Sequence, residues 1–276
     1  MNIQTGANRT LDIGLKQEPI GTVSPVAPYI GGKRLLAKRV SSKIGSIKHR
    51  TYVEPFVGMG GIFFRRPARP QCEVINDLSK DVVTLFRILQ RHYPQFLDVL
   101  KFQLTSRSEF QRLANTDPET LTDLERAARF LYLQRITFAG KITGRTFGVS
   151  LRGARFDLTK VVPLLEDVHE RLSGVIIECL PYADCITRYD RPDTLFYLDP
   201  PYWDCETYYG KGVFSHEDFQ RLADQLCNIK GRFIISINDV PEIREIFRGF
   251  NIEEVSLNYT ANAKGPKAVN ELMIVN

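Results

Sequence analysis

The sequence predicts an α/β protein, a doubly wound sheet interrupted by a helical insert. Three observations carry that expectation. Short apolar or alternating runs recur at 51–54, 73–76, 175–178, 195–198 and 233–237, with the length of strands. Helical patterns alternate with these runs at both ends of the chain. Between them, residues from about 93 to 136 are wholly helical, and 137–157 are loop-like.

Residues 1–27 carry Gly, Thr, Pro and Asn with little periodicity and read as a flexible leader without the apolar core of a signal peptide. A basic amphipathic helix follows the glycines at 31 and 32. Thr51–Glu54 and Glu73–Asn76 are short strands. From Ser79 to His92, Val82, Val83, Leu85, Phe86 and Leu89 have helical spacing. Ser106-x-x-Glu109 and Thr122-x-x-Glu125 fit capping boxes, which supply partners for unpaired helical N–H groups. Strands resume at Val175–Glu178 and Leu195–Leu198. Ser215-x-x-Asp218 opens a helix to about Ile229. Phe233–Ile237 alternates weakly enough to be central, and Ile252–Leu257 with Glu271–Val275 look like a closing antiparallel pair. The expected organisation is a discontinuous domain, 28–92 and 158–276, around an insert at 93–157.

Composition narrows the class. The chain of 276 residues is 43% hydrophobic and 25% charged, as soluble globular proteins are. No apolar run is long enough to cross a bilayer. Five cysteines without a C-x-x-C pair read as free thiols in a reducing cytoplasm, and four scattered histidines give no expectation of a metal. The formal charge is +5. Residues 135–160 hold Arg135, Lys141, Arg145, Arg152, Arg155 and Lys160 against one acid, Asp157, so the whole excess lies in that stretch. Charge concentrated in this way attracts phosphates, which makes a nucleic acid the expected partner. The alternative is a solvated loop. Phe138, Phe147 and Phe156, interleaved with these cations, are expected to anchor packing. Lys264 and Lys267 could add a second contact.

The residues with most chemical content are Asp199-Pro200-Pro201-Tyr202. They follow the apolar strand 195–198 and so sit where open α/β sheets bind ligands. The prolines have no N–H, and their carbonyls remain free to accept. An acid and a proline carbonyl can accept from a flat amine while the tyrosine ring covers its face. A plain strand-ending turn is the competing reading. Val53 to Gly61 leaves the first strand through glycines at 58, 60 and 61, which permit a tight turn and close backbone approach. Asp77 follows the second strand, placed to accept from ribose hydroxyls. Phe63 breaks the G-x-G-x-x-G spacing, which argues against a dinucleotide. Ile30-Gly31-Gly32-Lys33 is not a P-loop: Ala27 replaces the first glycine and Arg34 the Ser or Thr.

In this order, the pieces resemble the Dam-like (D12 class) DNA adenine-N6 methyltransferases. Pro28-Tyr29-Ile30-Gly31-Gly32-Lys33 is similar to that family's amino-terminal W-A-G-G-K-type motif, with Tyr29 in place of Trp. Glu54 to Gly60 is close to its E-P-F-x-G-x-G motif, and Asn76-Asp77 falls at its ribose-binding acid. Arg135 to Phe156 resembles its DNA-contacting segment, and Tyr182-Ala183-Asp184 falls where an acid meets the donor's adenine. Asp199 to Tyr202 matches its catalytic tetrad, Phe233 to Asn238 a later structural motif, and Asn270 to Ile274 the closing strand.

The resemblance implies a Rossmann-like methyltransferase sheet with a target-recognition insert. It implies S-adenosylmethionine as cofactor, held by Tyr29, Gly32, Lys33, Phe56, Gly58, Gly60, Asp77, Asp184 and Asp199. Asp199, Pro200, Pro201 and Tyr202 would be catalytic. Arg135, Lys141, Arg145, Arg152 and Arg155 would meet double-stranded DNA. The expected protein is a cytoplasmic monomer that needs no metal, membrane or cognate restriction enzyme. Cytosine-N4 transfer, or DNA binding without catalysis, remain the alternatives. Cysteine-based chemistry is disfavoured because Cys205 lies between acids that would raise its pKa.

Overall fold

The computed structural model describes residues 17–151, 153–210, 212–259 and 267–276. The first elements are β1 (Glu18–Pro19), α1 (Ala37–Ser46), β2 (Thr51–Glu54), β3 (Ala68–Arg69) and β4 (Cys72–Asn76). Four helices follow: α2 (Lys80–Arg91), α3 (Tyr93–Leu100), α4 (Arg107–Asn115) and α5 (Asp123–Ile136). After the basic stretch come α6 (Leu158–Arg171), β5 (Ile176–Glu178), α7 (Tyr182–Tyr189), β6 (Thr194–Leu198) and α8 (His216–Leu226). The chain closes with β7 (Arg232–Asn238), α9 (Pro241–Ile246), β8 (Asn251–Tyr259) and β9 (Lys267–Val275).

Seven strands form one sheet in the order β5-β4-β2-β6-β7-β9-β8. The first five are mutually parallel, and β9 runs antiparallel to both its neighbours. The chain lays β4 and β5 on one side of β2, and β6 and β7 on the other. The winding therefore reverses between β2 and β6. Ligands bind outside the carboxyl ends of strands at such a switch point.

Alternation along the strands feeds two apolar layers. Tyr52, Leu195, Tyr197 and Ile234 face a cluster built with α1, α2, α3, α5 and α6. Val53, Phe196, Leu198, Phe233 and Ile235 face Ile186, Phe219, Leu222 and Ile243 of α7, α8 and α9. All five residues of β6 are buried. Each such Leu or Phe contributes about 1.5–3 kcal/mol relative to exposure, so the strand that aims the tetrad is firmly held. Phe130, Leu131 and Leu133 of α5 belong to the first cluster, so the insert shares a core with the sheet.

Local chemistry explains the helix boundaries. Thr122 and Glu125 complete a capping box at α5. Ser106 accepts from Glu109 N, but the Glu109 carboxylate turns to Arg112 and Gln103 instead of closing a box. Residues 18–27, expected to belong to a flexible leader, are held in place. β1 pairs with β3, Val23 N donates to Phe64 O at 2.7 Å, and Val26 is fully buried. Among the described residues of 137–157 there is a single helical turn, Phe138–Gly140, and a lone bridge from Thr137 to Phe147.

Candidate active site

A cavity of about 750 Å³ opens at the switch point. Its floor is the turn after β2. Val57 N donates to Asn76 O, and Gly58 N donates to Asp77 Oδ2 at 2.9 Å. Ser79 N donates to Asp77 Oδ1 at 2.8 Å, so Asp77 ties this turn to the start of α2 while facing the cavity. Burial pushes its carboxyl up to about 6 against those two N–H donors. Asn76, itself buried, donates to Pro55 O and Leu180 O and accepts from Leu180 N. One amide thus fixes three strand ends.

Two of the expected cofactor glycines differ in role. Gly58 has φ +50°, and a Cβ there would lie 2.9 Å from the Tyr29 ring, so that ring and the bare backbone share a wall of the cavity. Gly60, at φ +71°, would place a Cβ 2.4 Å from the Phe64 ring. Its glycine accommodates Phe64, and it does not line the cavity. Gly32 lines it directly. Phe56 meets Tyr182 at 5.3 Å between ring centroids, and Phe214 closes on both at 6.0 and 5.7 Å. These three rings make an aromatic wall that suits a purine face. Asp184, the expected adenine contact, is exposed on α7 and is not part of the lining; Tyr182 faces the cavity instead.

At the other end stands the tetrad. Asp199 and Pro201 line the cavity. Pro200 and Pro201 are buried, and Tyr202 is half-buried. Trp203 N donates to Asn238 Oδ1 at 2.9 Å, and Asn238 Nδ2 donates to Trp203 O at 3.3 Å. Ser236 beside it shares a hydrogen bond with Tyr197 at 2.6 Å and bonds Asp199. Burial pushes the Asp199 carboxyl up to about 6, opposed by the Lys33 ammonium 2.9 Å from Oδ1.

Lys33, expected to meet the cofactor, is 3% exposed, bonds the Tyr202 hydroxyl and lies 3.6 Å from Glu271. Glu54, at the end of β2, accepts from the Tyr52 hydroxyl at 2.6 Å and faces the same cavity. Burial pushes its carboxyl up to about 8. Two acids, Asp199 after β6 and Glu271 of β9, therefore flank one lysine, with Glu54 facing the same cavity. The sequence reading had not assigned Glu54, Ser236, Asn238 or Glu271 to the site. The one available signal was polar residues within or at the ends of apolar strands.

The basic stretch divides. Arg135 donates to Val26 O at 2.5 Å and lines the cavity, so it braces the site from inside. Lys141 is exposed, and Arg145 and Arg155 are half-buried near the rings of Phe130 and Phe138, each at 6.0 Å. Arg152 lies outside the described residues, as does Lys264; Lys267 opens β9. Phe147 packs edge-on against Phe110, and Phe156 is buried beside Tyr132, as packing anchors. Phe138 is 61% exposed. The stretch is knitted to the glycine-lysine loop: Gln134 Nε2 donates to Pro28 O and Gly140 O, and Ile30 N donates to Gly140 O.

Residues 29–261 match the family model described as D12 class N6 adenine-specific DNA methyltransferase. The chain belongs to that family. This DNA methyltransferase family implies S-adenosylmethionine as methyl donor and DNA as substrate. The chain is 27% identical to the Type II methyltransferase M1.LlaDCHI of Lactococcus lactis subsp. cremoris, covering 91% of this chain and 95% of that one. It is 25% identical to the Type II methyltransferase M.CviBI of Paramecium bursaria Chlorella virus NC1A, covering 86% and 91%. Against the DNA adenine methylase of Haemophilus influenzae it is 24% identical, covering 89% and 90%.

Other features of this methyltransferase bear on its chemistry. The Cys205 thiol is pushed up by burial first and by Glu206 and Asp204 second, which makes it a poor nucleophile. Among the described residues, no cluster of His, Cys, Asp or Glu is placed to hold a metal, and no helix is long and apolar enough to cross a membrane.

Proposed function

We propose that the protein transfers a methyl group from S-adenosylmethionine to the N6 amine of an adenine flipped out of double-stranded DNA. The observation that carries this reading is the convergence of Asp199 and Pro201 on one cavity with Asp77, Tyr29 and the aromatic wall. The cavity has room for a nucleoside and a second base, and its wall and acids suit them. When bound, S-adenosylmethionine supplies a methyl already activated on a sulfonium.

The chain's own groups do the rest. Asp77 accepts from ribose hydroxyls, and Phe56, Tyr182 and Phe214 enclose the donor's purine. Asp199 and the Pro200 carbonyl accept from the target amine and orient its lone pair, while Tyr202 covers the base. A stacked base cannot reach them, and flipping it out costs a few kcal/mol. As the nitrogen gains carbon and positive charge, the ionised Asp199 stabilises it. The nitrogen's surplus proton leaves toward that carboxylate and then to water. Positioning supplies much of the acceleration. Lys141, Arg145 and Arg155 hold the phosphates. The protein acts as a monomer without a metal and needs no restriction enzyme.

Labelled S-adenosylmethionine and mixed-sequence DNA test this reading. Digestion should yield N6-methyladenine, and sequencing the modified positions fixes the site. N4-methylcytosine in its place, or DNA binding with no transfer, would overturn it.

A further inference from the structure

We propose that Glu271 is a positioning residue for methyl transfer, acting through Lys33; this rests on the adenine-N6 reading above. The Lys33 ammonium shares one contact with the target amine of that reading, Asp199, and stands at the Tyr202 ring that would cover the base. It lies 2.9 Å from Asp199 Oδ1, bonds the Tyr202 hydroxyl and stands 4.0 Å from the Tyr202 ring centroid. A base stacked on the Tyr202 ring and bonded to Asp199 would crowd an ammonium standing 4.0 Å from the same ring centroid. Lys33 must withdraw when the base arrives.

Glu271 gives the ammonium a second anchor. Its Oε2 is 3.6 Å from Lys33 Nζ, and the residue is fully buried. An ammonium withdrawn from Asp199 into a site without a second acid would carry an uncompensated desolvation cost. With Glu271 it stays paired throughout, and rotation about the lysine side chain's own bonds is enough to move it. The acid's place in the strand supports this role. Leu272, Met273 and Ile274 after it are buried and apolar, so packing alone would favour an apolar residue at 271. In the β7–β9 ladder Glu271 lies opposite Asn238, the residue that clasps Trp203. The acid and the tetrad loop are thereby held in one register.

The test uses the full-length protein and a duplex carrying the mapped site, with 2-aminopurine beside the target adenine as a fluorescent probe of its unstacking. Glu271→Gln should bind this duplex with unchanged affinity. It should show clearly less fluorescence than the wild type, and its kcat on the natural site should fall about tenfold with KM for DNA unchanged. Glu271→Asp should recover part of both signals. Lys33→Met should raise the fluorescence above wild type, and Glu271→Gln added to it should change nothing further. Wild-type fluorescence and kcat in Glu271→Gln, or additive effects in the double variant, would sink the positioning role while leaving the methyltransferase reading intact. If Glu271→Gln does not fold, the Lys33→Met arm decides: fluorescence no higher than wild type overturns the proposal. A wild type that transfers nothing to adenine sinks both.

Discussion

Asn238 grips the backbone of Trp203 from both sides, accepting from its N–H at 2.9 Å and donating to its carbonyl at 3.3 Å. The clasp joins the end of β7 to the residue after the tetrad, and so fixes the loop that carries Asp199 and Tyr202. Asn238→Ala removes two hydrogen bonds worth about 1 kcal/mol each, a modest loss of stability. Misplacing a reacting group by about 1 Å can cost about 100-fold in rate. Single-turnover transfer by Asn238→Ala should therefore fall far more than its melting temperature suggests. A fall matching only the stability loss would remove Asn238 from the positioning machinery.

Acid should switch transfer off through Asp199. Its carboxyl is held up near 6 by burial, and in the proposed mechanism the ionised form accepts from the amine. The rate should rise with pH through about 6 and level above it. Lys33 pulls that value down, so Lys33→Met should move the acid limb to higher pH. A pH–rate profile on both proteins checks the direction, and a limb that stays in place or moves down contradicts the assignment.

Salt dependence should separate the insert's cations. Lys141 is exposed, and replacing it with Ala should lower the slope of log affinity against log salt by about one unit. Arg135 is turned inward to Val26 O and the cavity. Arg135→Ala should leave that slope alone and weaken donor binding instead. Equal slope changes in the two variants would place both guanidinium and ammonium on the DNA.

The glycines should part in the same way. Both Gly58 and Gly60 sit at positive φ, where a side chain costs roughly 1–2 kcal/mol. Gly58→Ala also pushes on the Tyr29 ring in the cavity wall, so calorimetry should show weaker donor binding. Gly60→Ala meets the buried Phe64 ring at 2.4 Å. Its main effect should be a lower melting temperature with donor affinity retained in the folded fraction.

The strands and the tetrad were legible because their signals are local. An unbroken apolar run ending in two prolines can be read without knowing what lies beside it. The charge of 135–160 was equally plain, but its division was not. Arg135 turns inward because α5 ends against a segment 109 residues earlier, and no spacing announces that contact. Asp184 and Tyr182 illustrate a finer limit. Residues two apart on a helix point about 200° apart, so identifying the segment left its facing side chain undetermined. Glu271 opens an expected closing strand and Asn238 stands one residue past another, and the roles proposed for them arise from strand register, which exists only once β7 and β9 pair.

The Pro28 carbonyl, held by Gln134, has a consequence for energy flow between the two ligands. The loop carrying Tyr29, Gly32 and Lys33 lines the cavity proposed for the donor, while Gly140, bonded to the same amide, opens the basic segment proposed to meet DNA. A displacement of this shared hinge by either ligand alters the other's binding free energy by the same amount. Donor and DNA should therefore tighten or loosen each other by one common factor, and Gln134→Ala should bring that factor toward unity.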